Sequence, residues 1–282
     1  MVEVMQTVQL ASGTIEYEDT GGDGPVLVFT HDLLTDTTLW RDVVADLRAD
    51  YRCVLPTLPL GAHRIPMRPD ADLSLEAMGR MVGEFIEAAG LVDVTLIQNA
   101  WGGAQVLIAV GDPSRVARLV ITSCEAFDNY PPKPVRPVAV LARIPGFISL
   151  FAGAHRFTAM RRAPRAFGWM SKRPVPSAVM DGWFRPMSTD AAIRRDLRKY
   201  VTSVPRRSVL LDWAQRSESF DRPVLVVWAS EDRMMPLEHG RRLATLFPDA
   251  RLVEIEDSYT FLPEDQPQEL TRAIRAFLVQ SQ

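Results

Sequence analysis

Residues 95–107, TLIQNAWGGAQVL, run an apolar strand into a tight turn, two glycines and a helix. Such a turn presents the side chain at its tip, and here the tip is Ala100, whose methyl group can attack nothing. Groups able to move a proton stand at the ends of other apolar runs. Asp32 follows His31 after Val26–Thr30, Glu125 and Asp128 follow Leu119–Ile121, and Asp232 follows Val224–Trp228. His63 lies in the loop after Cys53–Leu55. A carboxyl enclosed by apolar side chains has its pKa raised by desolvation, which suits general acid–base work near neutral pH. Asp32 and His63 are the candidates for that work; the alternative is a solvated loop aspartate and a structural histidine. His155, among arginines, and His239, at a helix start, read as exposed. The run from Arg161 to Arg165 could attract an anion but reads as a solvated face.

The elements that must position these groups follow from the spacing of apolar residues. Alternating runs at Val2–Leu10 and Thr14–Glu18 around Ala11-Ser12-Gly13 predict a β-hairpin. Short continuous apolar runs at 26–30, 53–55, 94–97, 119–121, 224–228 and 252–255 fit strands buried on both faces of a parallel sheet. Helices are predicted between them: one burying Leu39, Val43, Val44 and Leu47; one capped by Ser74; and others at Gly102–Val110, Glu238–Leu246 and Leu270–Leu278. The Pro- and Arg-rich stretch 129–215 shows helical pieces and no strand alternation. It reads as a helical cap between two parts of an α/β core, 1–128 and 216–282, set over the carboxyl ends of the strands. Phe157, Phe167, Trp169, Trp183, Phe184 and Met187 make the cap aromatic and Met-containing, which favours a small apolar organic substrate.

Composition removes other classes. The net charge is −3, no basic run points to an anionic membrane and nothing suggests nucleic acid, so no nucleic-acid or membrane partner is expected. Cys53 and Cys124 each sit beside an apolar run and read as buried free thiols. The start of the chain lacks a basic region followed by an apolar stretch, and no apolar run is long enough for a bilayer, so a soluble cytoplasmic monomer or homodimer is expected. No GxGxxG follows the first strand, no P-loop occurs and His and Cys do not cluster; neither cofactor nor metal is expected.

The order of elements, the strand ending in His31, the strand–turn–Gly-Gly–helix at 94–110, the cap and the late Asp232 together resemble the α/β-hydrolase fold over nearly the whole chain. The motif Asn99-Ala100-Trp101-Gly102-Gly103 is most similar to the haloalkane dehalogenase and epoxide hydrolase branch. The resemblance implies a mostly parallel eight-stranded sheet flanked by helices. It implies a nucleophilic Asp at the position of Ala100, an oxyanion donor at the Trp101 N–H with the Trp101 ring as a pocket wall, a catalytic acid at Asp232 and a catalytic His at the position of Thr260. His31 then braces the oxyanion loop, Asp32 replaces the glycine of that loop at the mouth of the site, and Glu125, Asp128 and Trp183 are expected near the pocket. The triad reads Ala, Asp, Thr, with neither nucleophile nor base at the usual place. Three readings stay open. The chain is a hydrolase whose nucleophilic Asp has been exchanged for Ala; or a lyase, isomerase or cyclase using Asp32 or His63; or a ligand-binding protein without turnover.

Overall fold

The structure is a computed structural model that describes residues 5–164 and 166–281. Val2, Glu3 and Val4 of the expected first strand, and Arg165 of the basic run, lie outside the described residues.

Among these residues eight strands form one sheet in the order β1-β2-β4-β3-β5-β6-β7-β8. They are β1 (Gln6–Leu10), β2 (Gly13–Asp19), β3 (Val26–Thr30), β4 (Arg52–Pro56), β5 (Val94–Ala100), β6 (Val116–Cys124), β7 (Val224–Ala229) and β8 (Ala250–Ile255). β1 and β2 pair antiparallel, and β2 meets β4 antiparallel; from β4 through β8 every pairing is parallel. The central strands bury nearly every side chain, as their continuous apolar runs require. Exposed polar side chains fall on the edge strands, Gln6 and Gln9 on β1 and Arg251 and Glu254 on β8.

The chain leaves β3 toward β4 on one side and returns at β5 toward β6 on the other. The crevice where strand order reverses therefore opens between the carboxyl ends of β3 and β5, where Asp32 and Ala100 follow or close their strands. Around the sheet lie α1 (Arg41–Leu47), α2 (Leu75–Ala88) and α3 (Gly103–Val110). The Ser74 hydroxyl accepts the Ala77 N–H at 3.2 Å and caps α2 as its sequence predicts. The residues expected to open α1 form a separate 3-10 turn at Thr37–Trp40, capped by Asp36.

Between β6 and β7 the described chain is helical: α4 (Arg136–Leu141), α5 (Phe147–Ala154), α6 (Thr158–Arg161), α7 (Ser177–Thr189), α8 (Ala191–Thr202) and α9 (Arg207–Arg216). α10 (Leu237–Leu246), α11 (Leu262–Asp265) and α12 (Pro267–Gln280) complete the core. The cap is tied down by buried polar groups. The Asp265 carboxylate accepts the Ser171 hydroxyl and the N–H groups of Lys172, Arg173 and Tyr259 at 2.7–2.9 Å.

Both cysteines are buried, and neither forms a disulfide. No described helix is long and apolar enough to cross a membrane.

Candidate active site

The turn after β5 keeps the backbone of a nucleophile elbow although its tip carries a methyl group. Ala100 has φ +58°, the left-handed region that costs an L-residue about 1–2 kcal/mol. The Glu125 N–H donates to the Ala100 carbonyl at 2.7 Å and fixes the elbow against the end of β6. Gly102 permits this approach, because a Cβ there would stand 2.6 Å from the Glu125 carbonyl oxygen. The Trp101 ring folds back over Gly103, where an added Cβ would meet it at 2.0 Å. The ring is thus buried beneath the elbow, its Nε1 has no partner among the described residues, and it does not line the cavity described below. We expect Gly103→Ala to lower stability by about 1–3 kcal/mol in a denaturant titration, through forced displacement of the indole.

The two acid–base positions of the expected triad are joined. The Thr260 hydroxyl donates to Asp232 Oδ1 at 2.8 Å, and the same oxygen accepts the Met234 and Met235 N–H groups, each at 2.8 Å. Desolvation outweighs these donors and pushes the Asp232 carboxyl up to about 6. Thr260 is wholly buried and offers no base. Asp232 therefore closes its turn through Oδ1, while its buried Oδ2 has no hydrogen-bond partner among the described residues.

Beneath the cap lies a cavity of about 300 Å³. Its wall is apolar: Val138, Phe151, Phe167, Phe184, Met170 and Met235 are among its side chains. Two carboxyl groups, those of Asp32 and Glu125, also line it. Both residues are half-buried, with their open surface on this cavity. Desolvation pushes Asp32 up to about 7, against one opposing hydrogen bond from the Leu33 N–H. Desolvation, and then the charge of Asp32, raise Glu125 well above the usual carboxylate range, against one hydrogen bond from the Gly102 N–H. Both carboxyls are thus raised by burial, and Glu125 is raised further by the charge of Asp32.

The backbone donors at this place are already taken. The Leu33 N–H serves Asp32, the Gly102 N–H serves Glu125, and the Trp101 N–H donates to the Asn99 carbonyl at 2.6 Å. Trp101, expected to offer its N–H to an oxyanion, instead closes its own turn.

Other expected site residues fall elsewhere. His31 is buried behind the loop; the Leu58 N–H donates to its Nε2 at 2.9 Å, so its Nδ1–H donates to the Asp32 carbonyl at 2.9 Å. Burial lowers it to about 4, and it braces the loop as a neutral ring. His63 accepts the Gly61 N–H at Nδ1 and reaches Asp196 on α8 through Nε2, each at 3.3 Å. It is buried away from the cavity and joins a core loop to the cap. Trp183 is buried too; its indole N–H donates to Thr38 Oγ1 at 2.8 Å and Asp36 Oδ1 at 3.1 Å. Asp128 faces outward and pairs with Arg207 at 2.7 Å.

Two histidines differ from expectation. His155 is buried: its Nδ1–H donates to the Phe151 carbonyl at 2.8 Å, its ring stacks on Phe184 and it lines the cavity. Its Phe151 neighbour four residues earlier was the signal available in the sequence. His239 is half-buried against Phe127. Arg161, read as solvated, is buried and bonded to Asp181 and the His155 carbonyl.

Tyr130 and Tyr200 were not singled out by sequence. They line a small adjoining cavity together with Asp32 and Glu125, are hydrogen-bonded to each other, and are kept protonated by burial. No group of His, Cys, Asp and Glu arranged to hold a metal ion occurs among the described residues.

A family model described as alpha/beta hydrolase fold matches residues 25–267. The chain is 27% identical to a cis-3-alkyl-4-alkyloxetan-2-one decarboxylase of Xanthomonas campestris pv. campestris, over 94% of this chain and 92% of that one. It is 28% identical to haloalkane dehalogenase 2 of Mycobacterium tuberculosis, over 93% and 90%. Among solved structures, an alpha/beta hydrolase fold protein from Burkholderia ambifaria superposes with a TM-score of 0.80 at 23% identity, covering 96% of this chain and 98% of that one.

Proposed function

The chain belongs to the α/β-hydrolase fold family, and from that premise we propose that it catalyses a non-hydrolytic proton transfer, an isomerisation or elimination, on a small apolar substrate. Asp32 is the base, Glu125 the acid, and no covalent enzyme intermediate forms. The observation that carries this reading is the pair of desolvated carboxyls on one apolar cavity. Asp32, ionised above about 7, takes a proton from carbon or oxygen of the substrate. Glu125 keeps its own proton and delivers it to the atom where negative charge develops. The wall of Phe, Met and Val side chains excludes water and leaves these two groups, with the His155 ring, as the polar contacts that orient the substrate.

Three further features weigh against hydrolysis as written. Ala100 supplies no nucleophile, Thr260 no base, and the Trp101, Leu33 and Gly102 N–H groups have protein acceptors. The dehalogenase among the relatives favours descent from a hydrolase, and Asp232 still stands beside position 260. A hydrolase deprived only of its nucleophile would regain turnover with Ala100→Asp. We expect Ala100→Asp to stay inactive toward epoxides, haloalkanes and esters, because Thr260 cannot activate water; halide release and pH-stat assays read this directly.

The test of the proposal itself is incubation with apolar epoxides, esters, haloalkanes and polyketide-like aromatics in deuterium oxide and in heavy-oxygen water, followed by mass spectrometry. An isomeric product that has gained deuterium, or a product that has lost a small molecule with the solvent deuterium carried off on the leaving group, and in neither case heavy oxygen, is expected. A product carrying heavy oxygen contradicts the proposal, and a ligand returned unchanged and without deuterium leaves only binding.

A further inference from the structure

We propose that the outer face of α4, α5 and α6 docks on an anionic lipid bilayer, placing the cavity mouth at the membrane surface. Six of the eight large apolar side chains that stand exposed among the described residues fall between 140 and 160: Val140, Leu141, Ile144, Leu150, Phe157 and Met160. Leu150 and Phe157 are 71% and 69% exposed. α5, FISLFAGA, carries no charge and is apolar on both sides: Ile148 and Ala152 are buried while Leu150 faces water. A short helix of this kind is stable at a surface that is itself apolar just below a polar layer.

Charge selects the occupant. Residues 129–180 hold nine Lys and Arg and no Asp or Glu. The whole cap, 129–215, holds sixteen basic residues against four acidic ones, leaving sixteen against thirty-one for the rest of the chain. Lys133, Arg136, Arg143, Arg156 and Arg162 are exposed around the apolar strip, and none pairs with a carboxylate among the described residues. A second copy would bring like charges together across this face, whereas anionic headgroups complement it while the acidic core points away. These five residues are dispersed between 133 and 162, most of them in the turns that flank α4, α5 and α6, and folding gathers them.

The strip is continuous with the cavity. Met160 is 45% exposed and also lines it, as do Val138 on α4 and Phe151 on α5. An apolar molecule dissolved in the bilayer would meet the mouth without crossing water. Docking itself does not depend on which reaction the cavity performs, and its readout is binding to lipid, not turnover.

The test is flotation of the full chain with vesicles of phosphatidylcholine alone and of equal parts phosphatidylcholine and phosphatidylglycerol, at low and high salt. The expected result is partitioning to the anionic vesicles at least about tenfold above the zwitterionic ones, reduced by salt. The double variants Leu150→Glu/Phe157→Glu and Arg143→Glu/Arg156→Glu should each lose about tenfold or more while melting as the parent does. Absence of binding to the anionic vesicles, or binding unchanged in both variants, overturns the proposal. So does a dimer in sedimentation velocity that Leu150→Glu dissociates, with no vesicle binding in the parent, since the strip then covers a second copy.

Discussion

Glu125→Gln lowers turnover about a hundredfold to ten-thousandfold while leaving substrate affinity within a few-fold. The amide has nearly the shape of the acid and can still donate a hydrogen bond, but it has no proton to give up. The loss therefore falls on kcat and not on binding. The pH profile separates this from a structural effect. In the parent, turnover rises with pH through about 7 as Asp32 releases its proton, and falls again once Glu125 ionises. Glu125→Gln removes the alkaline fall. It also lowers the acidic midpoint of whatever activity remains only slightly, because desolvation, the main cause of the Asp32 shift, is unchanged. Equal loss at every pH together with a raised KM would instead mark Glu125 as a packing residue of the cavity wall.

The second large effect concerns stability. Asp32→Asn stabilises the protein at pH 8 by about 2–4 kcal/mol and far less at pH 4, although it abolishes turnover. The sign follows from the direction of the shift. The folded-state pKa of Asp32, about 7, lies above the ordinary aspartate value of 3.8, so between these values the folded state binds a proton that the unfolded chain has released. Stability associated with this group is complete below the unfolded value and is lost as pH rises toward the folded one. Above about 7 the ionised carboxyl stands in the apolar cavity with one backbone donor, and the penalty is largest. An uncharged amide escapes it. Thermal unfolding of both proteins across that pH range is the check, and a variant less stable than the parent at pH 8 contradicts the desolvated state of Asp32.

Much of the core could be read from residue order, and the reason is local. β3, β5 and β7 are continuous apolar runs, and only a strand covered on both faces needs that pattern. The end of such a run also marks the rim of the sheet, which is why Asp32 and Glu125 could be placed at one opening before their contacts were known. Positions inside the elements were less legible, because spacing gives a residue's place on the backbone and not the direction of its side chain. Trp101 follows the elbow tip as expected, yet its ring turns under the elbow toward Gly103. His63 sits in a loop at the correct edge, yet its ring turns outward to Asp196. Trp183 belongs to the cap but is held by Asp36 and Thr38 outside the cavity. His155 went the other way: neighbouring arginines suggested water, while Phe151 and Phe184 enclose the ring. The Tyr130–Tyr200 pair joins residues seventy positions apart, a contact made by α8 folding back on the loop after β6.

The positions at 100 and 260 are accommodated locally. The Thr260 hydroxyl supplies one donor to Asp232 Oδ1, and Ala100 holds the left-handed elbow without a polar group to bury.

Burial raises the carboxyl of Asp32, to about 7, and that of Glu125 well above the usual carboxylate range. Carbon-13 NMR titration of the carboxyl carbons, with aspartate and glutamate labelled, tests it without any substrate. One aspartate titrating near 7 that vanishes in Asp32→Asn, and one glutamate still protonated at that pH that vanishes in Glu125→Gln, are the predicted results. If both carboxyls are ionised by pH 5, the cavity holds two ordinary carboxylates and the acid–base account is wrong.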